Sequence, residues 1–442
     1  MRRNMKLTLT VGALVTVAAS SAAAQRTIPI RSLTPTLAAS RDTFGIILNA
    51  RQLSGGRVLI NDAKRHRLVV LDSALRIVRV VFDSTVGSAD SYGSMPEPVL
   101  PYPGDSSLFV DAPSQSLVLI GPDGTVGRTL SAPADAGIWA VISSSAGVDS
   151  RGRLIYRGLE MRHERKPGAG GGLSVNLPGF GRAPISNADS LPLIRGDLAT
   201  RSVDTIAALK NLSASRMAIS TAPNGDAVFT TYVNPLLSGD EWTLLSDGTI
   251  AIVRGQDYRV DWIDADGKVT STPKLPFDWR RVTDDDKQRI RDSAAIAVAQ
   301  ADSEVSARIR AATGGATGGA AAAVVGRGGA GGASGGGGAP RGMHRVTTIA
   351  PISEMPDYVP SIRAGAVLGD RDGNLWILPT TSAQSKAGEL VYDVVNRQGE
   401  LFERVRLPLG RSIIGFGPGG VVYLVHGDLT NGFVLERTRI VQ

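Results

Sequence analysis

Asp370-Arg371-Asp372-Gly373-Asn374-Leu375-Trp376-Ile377 reads as a tight turn followed by a short strand. Asp-Gly supplies the left-handed backbone of a hairpin turn at little cost, and Leu, Trp and Ile suit a buried pleated surface. LVYDVV (390–395), the turn Gln398-Gly399 and LFERVRL (401–407) follow, so the stretch is predicted to be an antiparallel meander. The same unit recurs along the chain. Gly55-Gly56 leads into RVLIND, RLVVLD and RIVRVVF. Ser106-Ser107 leads into LFVDA, SLVLI and, after Gly121-Pro122-Asp123-Gly124, TVGRTL. Arg151-Gly152 precedes RLIYRG, Asp247-Gly248 precedes TIAIV, YRVDWI and KVTS, and Gly419-Gly420 precedes VVYLV and FVLERTRI.

Spacing then separates a propeller from a sandwich. From Gly56 through Ser107, Gly152, Gly248 and Gly373 to Gly420 the intervals are 51, 45, 96, 125 and 47 residues. Three of these match the period of one four-stranded blade. The two long ones contain insertions: the Gly/Pro-rich stretch Glu160–Ser190, and residues 280–360. The predicted fold is therefore all-β, a six-bladed β-propeller with a helical and Gly-rich insertion between late blades; seven blades is the alternative. Asn224-Gly225 before DAVFTTY lies too close to Gly248 for a blade of its own and is read as an extra hairpin or displaced strand. The last blade is one strand short, and Arg26–Leu33 (RTIPIRSL) is predicted to supply its outer strand and close the ring.

Inside the insertion a helix is expected over 284–310. Thr283 and Asp286 make a capping pair, Asp284–Asp286 complement the helix dipole, and Ile290, Ala294, Ala297, Val298, Ala301, Val305 and Ile309 form an apolar stripe. Residues 313–342 are nearly all Gly and Ala and are expected to form a flexible loop.

At the N-terminus Arg2, Arg3 and Lys6 precede the apolar run Leu7–Ala19, and Ala22-Ala23-Ala24 offers a cleavage site. This is the pattern of a secretory leader, residues 1–24, with the single propeller domain spanning 25–442. The protein is thus expected to be exported, periplasmic or extracellular. The chain has no cysteine, which excludes disulfides, thiol catalysis, Cys-ligated zinc and a Cys-linked lipid anchor. No later segment reads as a transmembrane helix. The net charge of +7 includes the three leader cations, and no basic run is interleaved with aromatics, so nucleic-acid binding is not expected.

The turn-and-strand phrase around Asp372-Gly373-Asn374-Leu375-Trp376, with Gly56–Asp62 and Asp247–Ala251, resembles exported bacterial six-bladed propellers of the NHL and streptogramin-lyase-like type. That resemblance implies the fold. It implies little about activity, because propellers host unrelated functions.

No motif carries chemistry convincingly. Gly415-Phe416-Gly417-Pro418-Gly419-Gly420 matches G-x-G-x-x-G, but a strand follows where a dinucleotide site needs a helix, so it reads as a turn. Ser334 sits in a G-x-S-x-G match inside the Gly-rich tract, without the strained strand-to-helix elbow. Asp264–Gly267 and Asp370–Gly373 lack the full ligand set of a calcium loop and read as hairpin turns. Asp284–Asp286 are explained by the helix dipole, and His66, His163, His344 and His426 stand apart without zinc spacing. Trp262 and Trp376 lie inside strand runs and read as core. All five tryptophans, Trp279 among them, invite a carbohydrate-stacking reading, and Trp139 and Trp242, near strand starts, are the better candidates for a ligand surface. No catalytic, cofactor-binding or metal residue is assigned, and no cofactor is expected. The functional expectation is a monomeric, non-catalytic binding or scaffold protein for an envelope protein or carbohydrate. The alternative is a metal-dependent propeller hydrolase or lyase, lactonase-like, acting on a sugar, lactone or cyclic ester.

Overall fold

The computed structural model describes residues 28–84, 92, 98–111, 114–133, 138–143, 146–158, 174–177, 181–184, 190–211, 215–221, 227–237, 239–312, 343–382, 385–386 and 388–441. The leader, the mature start at Gln25, Asn224-Gly225, His163, Ser334 and the tract 313–342 lie outside them.

Two short strands, β1 (Ile30–Ser32) and β2 (Ala38–Ala39), come first. Blade one is β3 (Ile47–Gln52), β4 (Val58–Asp62), β5 (Arg67–Leu71) and β6 (Ile77–Phe82). Blade two is β7 (Val99–Pro101), β8 (Ser107–Asp111), β9 (Ser116–Ile120) and β10 (Val126–Ser131), and helix α1 (Ile138–Ser143) follows it. Blade three is β11 (Gly147–Val148), β12 (Leu154–Arg157), β15 (Ser190–Gly196) and β16 (Val203–Lys210), interrupted by the hairpin β13 (Ser174–Leu177) and β14 (Gly181–Pro184). A second hairpin, β17 (Ser215–Thr221) and β18 (Ala227–Val233), precedes blade four: β19 (Asp240–Leu244), β20 (Ile250–Arg254), β21 (Arg259–Ile263) and β22 (Val269–Ser271). Then come helix α2 (Asp284–Ala312) and β23 (Met343–Ile349). Blade five is β24 (Val367–Gly369), β25 (Leu375–Ile377), β26 (Val391–Val395) and β27 (Leu401–Arg406), and blade six is β28 (Ser412–Gly417), β29 (Val421–Asp428) and β30 (Gly432–Arg439). Each blade is an antiparallel meander with strands in sequence order from the channel outward, and there are six of them.

Burial explains why the middle strands lack polar alternation. All five positions of β4 and of β26 are buried, because both faces of a blade are covered by its neighbours. Each of the six seams between blades holds its own apolar cluster. Leu68, Val70 and Phe109 lie between blades one and two, and Val110, Leu154 and Tyr156 between two and three. Trp242, Ile155 and Ile252 lie between three and four, and Tyr258, Val260 and Leu375 between four and five. Trp376, Phe416 and Val422 join five to six, and Phe44, Val58 and Tyr423 join six to one. With no disulfide, these seams hold the ring together by burial, worth roughly 1.5–3 kcal/mol per large apolar side chain.

Ring closure differs from the expectation. Ile30–Ser32, inside the segment expected to complete the last blade, instead pairs in parallel with β27 as a fifth strand of blade five. The outer strand of blade six is β2, with Ala38 opposite Arg437 and Ala39 opposite Glu436. Leu33 bridges Ile440 between the two blades. The N–H groups of Thr34, Leu37, Ser40 and Phe44 bond the carbonyls of Arg439, Arg437, Leu435 and Phe433. Their uneven spacing along the chain leaves only two residues with ladder geometry. Two alanines carry no β-branched or aromatic signal, which is why the richer run upstream attracted the assignment.

The hairpin before blade four is no seventh blade. β18 pairs antiparallel with β17 and parallel with β23, whose first residue lies more than a hundred positions later, so two inter-blade insertions share one mixed sheet. Leu236, Val282 and Met355 form a small core beneath it, with Ile290, Ile349 and Val359 packed alongside. Helix α2 opens as expected: Thr283 N–H donates to Asp286 Oδ2 at 3.0 Å, and Asp286 N–H donates to Thr283 Oγ1 at 3.2 Å. Of its apolar stripe, Ile290 joins the small core, Ala294 and Val298 are half-buried and Ala297 is exposed. The side chains of Ala301, Val305 and Ile309 lie outside the described ones. Among the described residues no helix is long and apolar enough to cross a membrane.

Candidate ligand-binding face

An antiparallel meander puts the start of its inner strand, its second-to-third turn and the link to the next blade at one end. Every insertion longer than a turn falls at that end: residues 83–98, α1 with its flanks, the β13–β14 hairpin, 211–239, 272–366 and 378–390. The opposite end carries only tight turns. The chain is a ring with one plain face and one elaborated face, and recognition residues gather on loops held by a rigid scaffold.

The plain face shows what the Asp-Gly turns do. Asp370 Oδ1 accepts the backbone N–H groups of Asp372 and Asn374 at 2.9 and 2.7 Å, while Oδ2 accepts Asn374 Nδ2 and Trp376 Nε1 at 2.9 and 3.0 Å. Asp264 Oδ1 accepts the N–H groups of Asp266 and Lys268 at 3.0 and 2.9 Å. These carboxylates are committed to their own turns, with Gly373 and Gly267 at φ 88° and 86° as the turn requires. Gly415–Gly417 end β28 and Pro418–Gly420 make the turn to β29; a Cβ on Gly415 would collide with the Ala50 carbonyl oxygen, so this glycine permits close inter-blade approach.

On the elaborated face, β19 begins with two buried acids. Asp240 Oδ2 accepts Arg254 Nη1 at 2.7 Å and Lys210 N–H at 2.9 Å, and its Oδ1 accepts Gly255 N–H at 3.3 Å. Glu241 points the other way across the pleat: Oε1 accepts Arg157 Nη2 at 2.9 Å from blade three, and Oε2 accepts Gly365 N–H at 3.2 Å from the approach to blade five. Arg254 also reaches Asp261 Oδ2 at 2.6 Å. Burial pulls the Arg254 guanidinium down, but its bonds to Asp261 and Asp240 outweigh that and leave its pKa above the usual value. Burial likewise pushes the Asp261 carboxyl up, and Ser271 and Arg254 overcome it to hold the pKa low. The acids are therefore satisfied anions that tie three blades together at the mouth of the channel.

Beside them lies an aromatic ladder that the sequence did not single out. Tyr258, fully buried, packs on Phe277 at 5.1 Å; Phe277 meets Trp279 edge-on at 4.8 Å; and Trp279 meets Tyr358 at 6.4 Å and 86°. The ladder climbs from core to solvent, where Trp279 is 43 % and Tyr358 49 % exposed. Its outer rungs are held on paired backbone: Arg281 bridges Tyr358, Val282 N–H donates to the Asp357 carbonyl at 2.8 Å, and Val359 N–H to the Arg280 carbonyl at 3.0 Å. Lys287, almost wholly buried, pins Asp357 at 2.7 Å. Asp278 and Arg280, paired at 3.0 Å, flank the rings.

The tryptophan expectation is thus corrected. Trp242 is 1 % exposed and lies in the core between blades three and four, because its place on the inner strand faces a neighbouring blade rather than the channel. Trp139 lies in α1, and its side chain is outside the described ones. Trp262 and Trp376 are core, as expected. His66 stacks edge-on to Tyr92, His426 Nδ1 lies 3.6 Å from Glu436, and His344 lies in β23. Among the described residues no three His, Asp or Glu side chains come together as a metal ion would need.

No family model and no curated relative matches the chain. Solved structures do resemble it: a member of the DUF4221 family from Bacteroides vulgatus (9% identity, 94% of this chain and 98% of that one, TM-score 0.42); virginiamycin B lyase from Staphylococcus aureus (9%, 92% and 99%, 0.36); and a gluconolactonase from Xanthomonas campestris (9%, 90% and 88%, 0.37). At such identities and scores the likeness adds nothing about activity, and it is the strand order of the chain itself that places it among the six-bladed β-propellers.

Proposed function

We propose that this protein is an exported, monomeric, non-catalytic binding propeller of the bacterial envelope, working in the periplasm or outside the cell, and that its partner is carbohydrate taken on the elaborated face. The observation that carries this reading is the exposed Trp279–Tyr358 corner on a braced backbone. An aromatic ring offers a flat apolar surface to the C–H face of a sugar, and a fixed ring loses little entropy on binding. The neighbouring Asp278 carboxylate and Arg280 guanidinium supply hydrogen-bond partners for hydroxyls. The two acids at the head of β19 already have their partners, so they serve as braces rather than as a general base. A metal-dependent lactonase-like reaction would need a ligand cluster that the described residues do not bring together. The test is co-sedimentation of the purified mature protein with isolated envelope polysaccharide. Saturable binding that Trp279→Ala removes supports the reading. Stoichiometric tightly bound metal, with chelator-sensitive turnover of lactones or aryl esters, overturns it.

A further inference from the structure

A second site lies on the ring seam, away from the elaborated face. Where β2 of blade six runs past the β5–β6 turn of blade one there is an open cleft of about 500 Å³. Its lining includes Arg41 from the N-terminal segment, Arg437 from β30, and Arg76 and Ser73 from the turn, and it includes no carboxylate. Asp72 bonds Arg76 Nε at 2.8 Å but is not part of the lining. No carboxylate among the described residues pairs with Arg41 or Arg437; the Arg437 guanidinium reaches the Tyr423 hydroxyl, where it opposes the rise that burial gives that phenol's pKa. The floor is small, since Ala38 and Ala39 form the edge strand there, and this is what leaves the volume open.

The geometry points to an anion site that takes a phosphate group carried on a larger molecule. Guanidinium groups match phosphate oxygens with paired, charge-assisted hydrogen bonds, and Ser73 adds a hydroxyl donor. Arg76 is already neutralised by Asp72, but Arg41 and Arg437, from two parts of the chain, face the cleft without a carboxylate partner among the described residues, and a bound phosphate supplies the missing counter-charge. The volume exceeds what one phosphate fills, so a sugar phosphate or the phosphodiester headgroup of a lipid fits the same chemistry. Because the site joins the N-terminal segment to blades one and six, occupancy favours the closed ring and raises the melting temperature.

Titration calorimetry with inorganic phosphate and glucose 1-phosphate, and flotation with phosphatidylglycerol vesicles, test this site on the full mature chain. Arg41→Gln and Arg437→Gln should each weaken binding about tenfold or more, the loss of one charged hydrogen-bonding partner. Circular dichroism should be unchanged in both. Arg128→Gln, an exposed arginine on β10 of blade two, should bind as the parent does. Binding of a soluble ester alone assigns the source as a sugar phosphate, and binding of vesicles alone assigns a lipid headgroup. Absence of saturable binding to all three probes at millimolar concentration overturns the proposal, and so does binding that both cleft variants leave unaltered.

Discussion

The carboxylate of Asp372 is held by two backbone donors of the next blade, Gly419 N–H at 2.9 Å and Gly420 N–H at 2.7 Å. Successive amides at φ 69° and 72° form a small anion-binding concavity, and here a protein side chain fills it. The glycine-rich phrase at Gly415–Gly420 therefore does bind an anion, but the anion belongs to blade five. Asp372→Ala should lower stability by about 1 kcal/mol, the usual worth of a partly exposed charged hydrogen bond, read as a shift in the urea midpoint. Gly415→Ala should cost more, because its Cβ would collide with the Ala50 backbone. A Gly415→Ala variant as stable as the parent would show that the seam is looser than described.

Two tryptophans separate core from surface. Trp242→Ala should destabilise by about 3–5 kcal/mol, whereas Trp279→Ala should change stability by less than about 1 kcal/mol. Equal losses in thermal melts would contradict the assignment of Trp279 to a recognition surface.

A buried pair locks blades four and five. Tyr258 Oη donates to Asp393 Oδ2 at 2.6 Å, and Arg404 Nε donates to Asp393 Oδ1 at 2.6 Å. Tyr258→Phe strips one donor from a carboxylate whose pKa burial already holds above the ordinary value. The expected loss is about 1–3 kcal/mol in chemical denaturation. No loss would mean that water replaces the phenol.

Acid should act through the closing segment. Glu436 accepts Arg411 Nε at 2.6 Å and Thr36 Oγ1 at 3.2 Å, so it joins blade six to the N-terminal stretch. Burial pushes its carboxyl up, but Arg411 and His426 overcome that and leave the pKa below the ordinary 4.5. A depressed acid stabilises fully above its unfolded value, and that contribution disappears as pH falls through the folded value below 4.5. Asp393, with a raised pKa, runs the other way. Glu436→Gln should therefore be less stable than the parent near neutrality and lose less on acidification. An unchanged pH slope below 4.5 would rule out this role for Glu436.

The blades were legible because each unit states its own turn chemistry: the Asp370 and Asp264 carboxylates bond amides two and four residues on, which is a local event. Capping of α2 by Thr283 and Asp286 was readable for the same reason. What depended on distant partners was not. The parallel pairing of β18 with β23 spans an insertion that no local period reports. The closing strand is Ala38–Ala39, whose only cue is the unpaired edge of β30. Trp279 and Trp242 look alike in the chain, and only the packing of whole blades separates a ring sealed in a seam from a ring left at the rim.

Hydrogen exchange with and without bound envelope polysaccharide tests the central claim, that the elaborated face is where the protein engages its partner. Slowed exchange is expected at 277–282 and 355–363, the paired stretches that carry Trp279 and Tyr358, with the turns at 370–374 and 396–400 unaffected. Protection confined to those turns, or none in a protein that binds the polysaccharide, would contradict it.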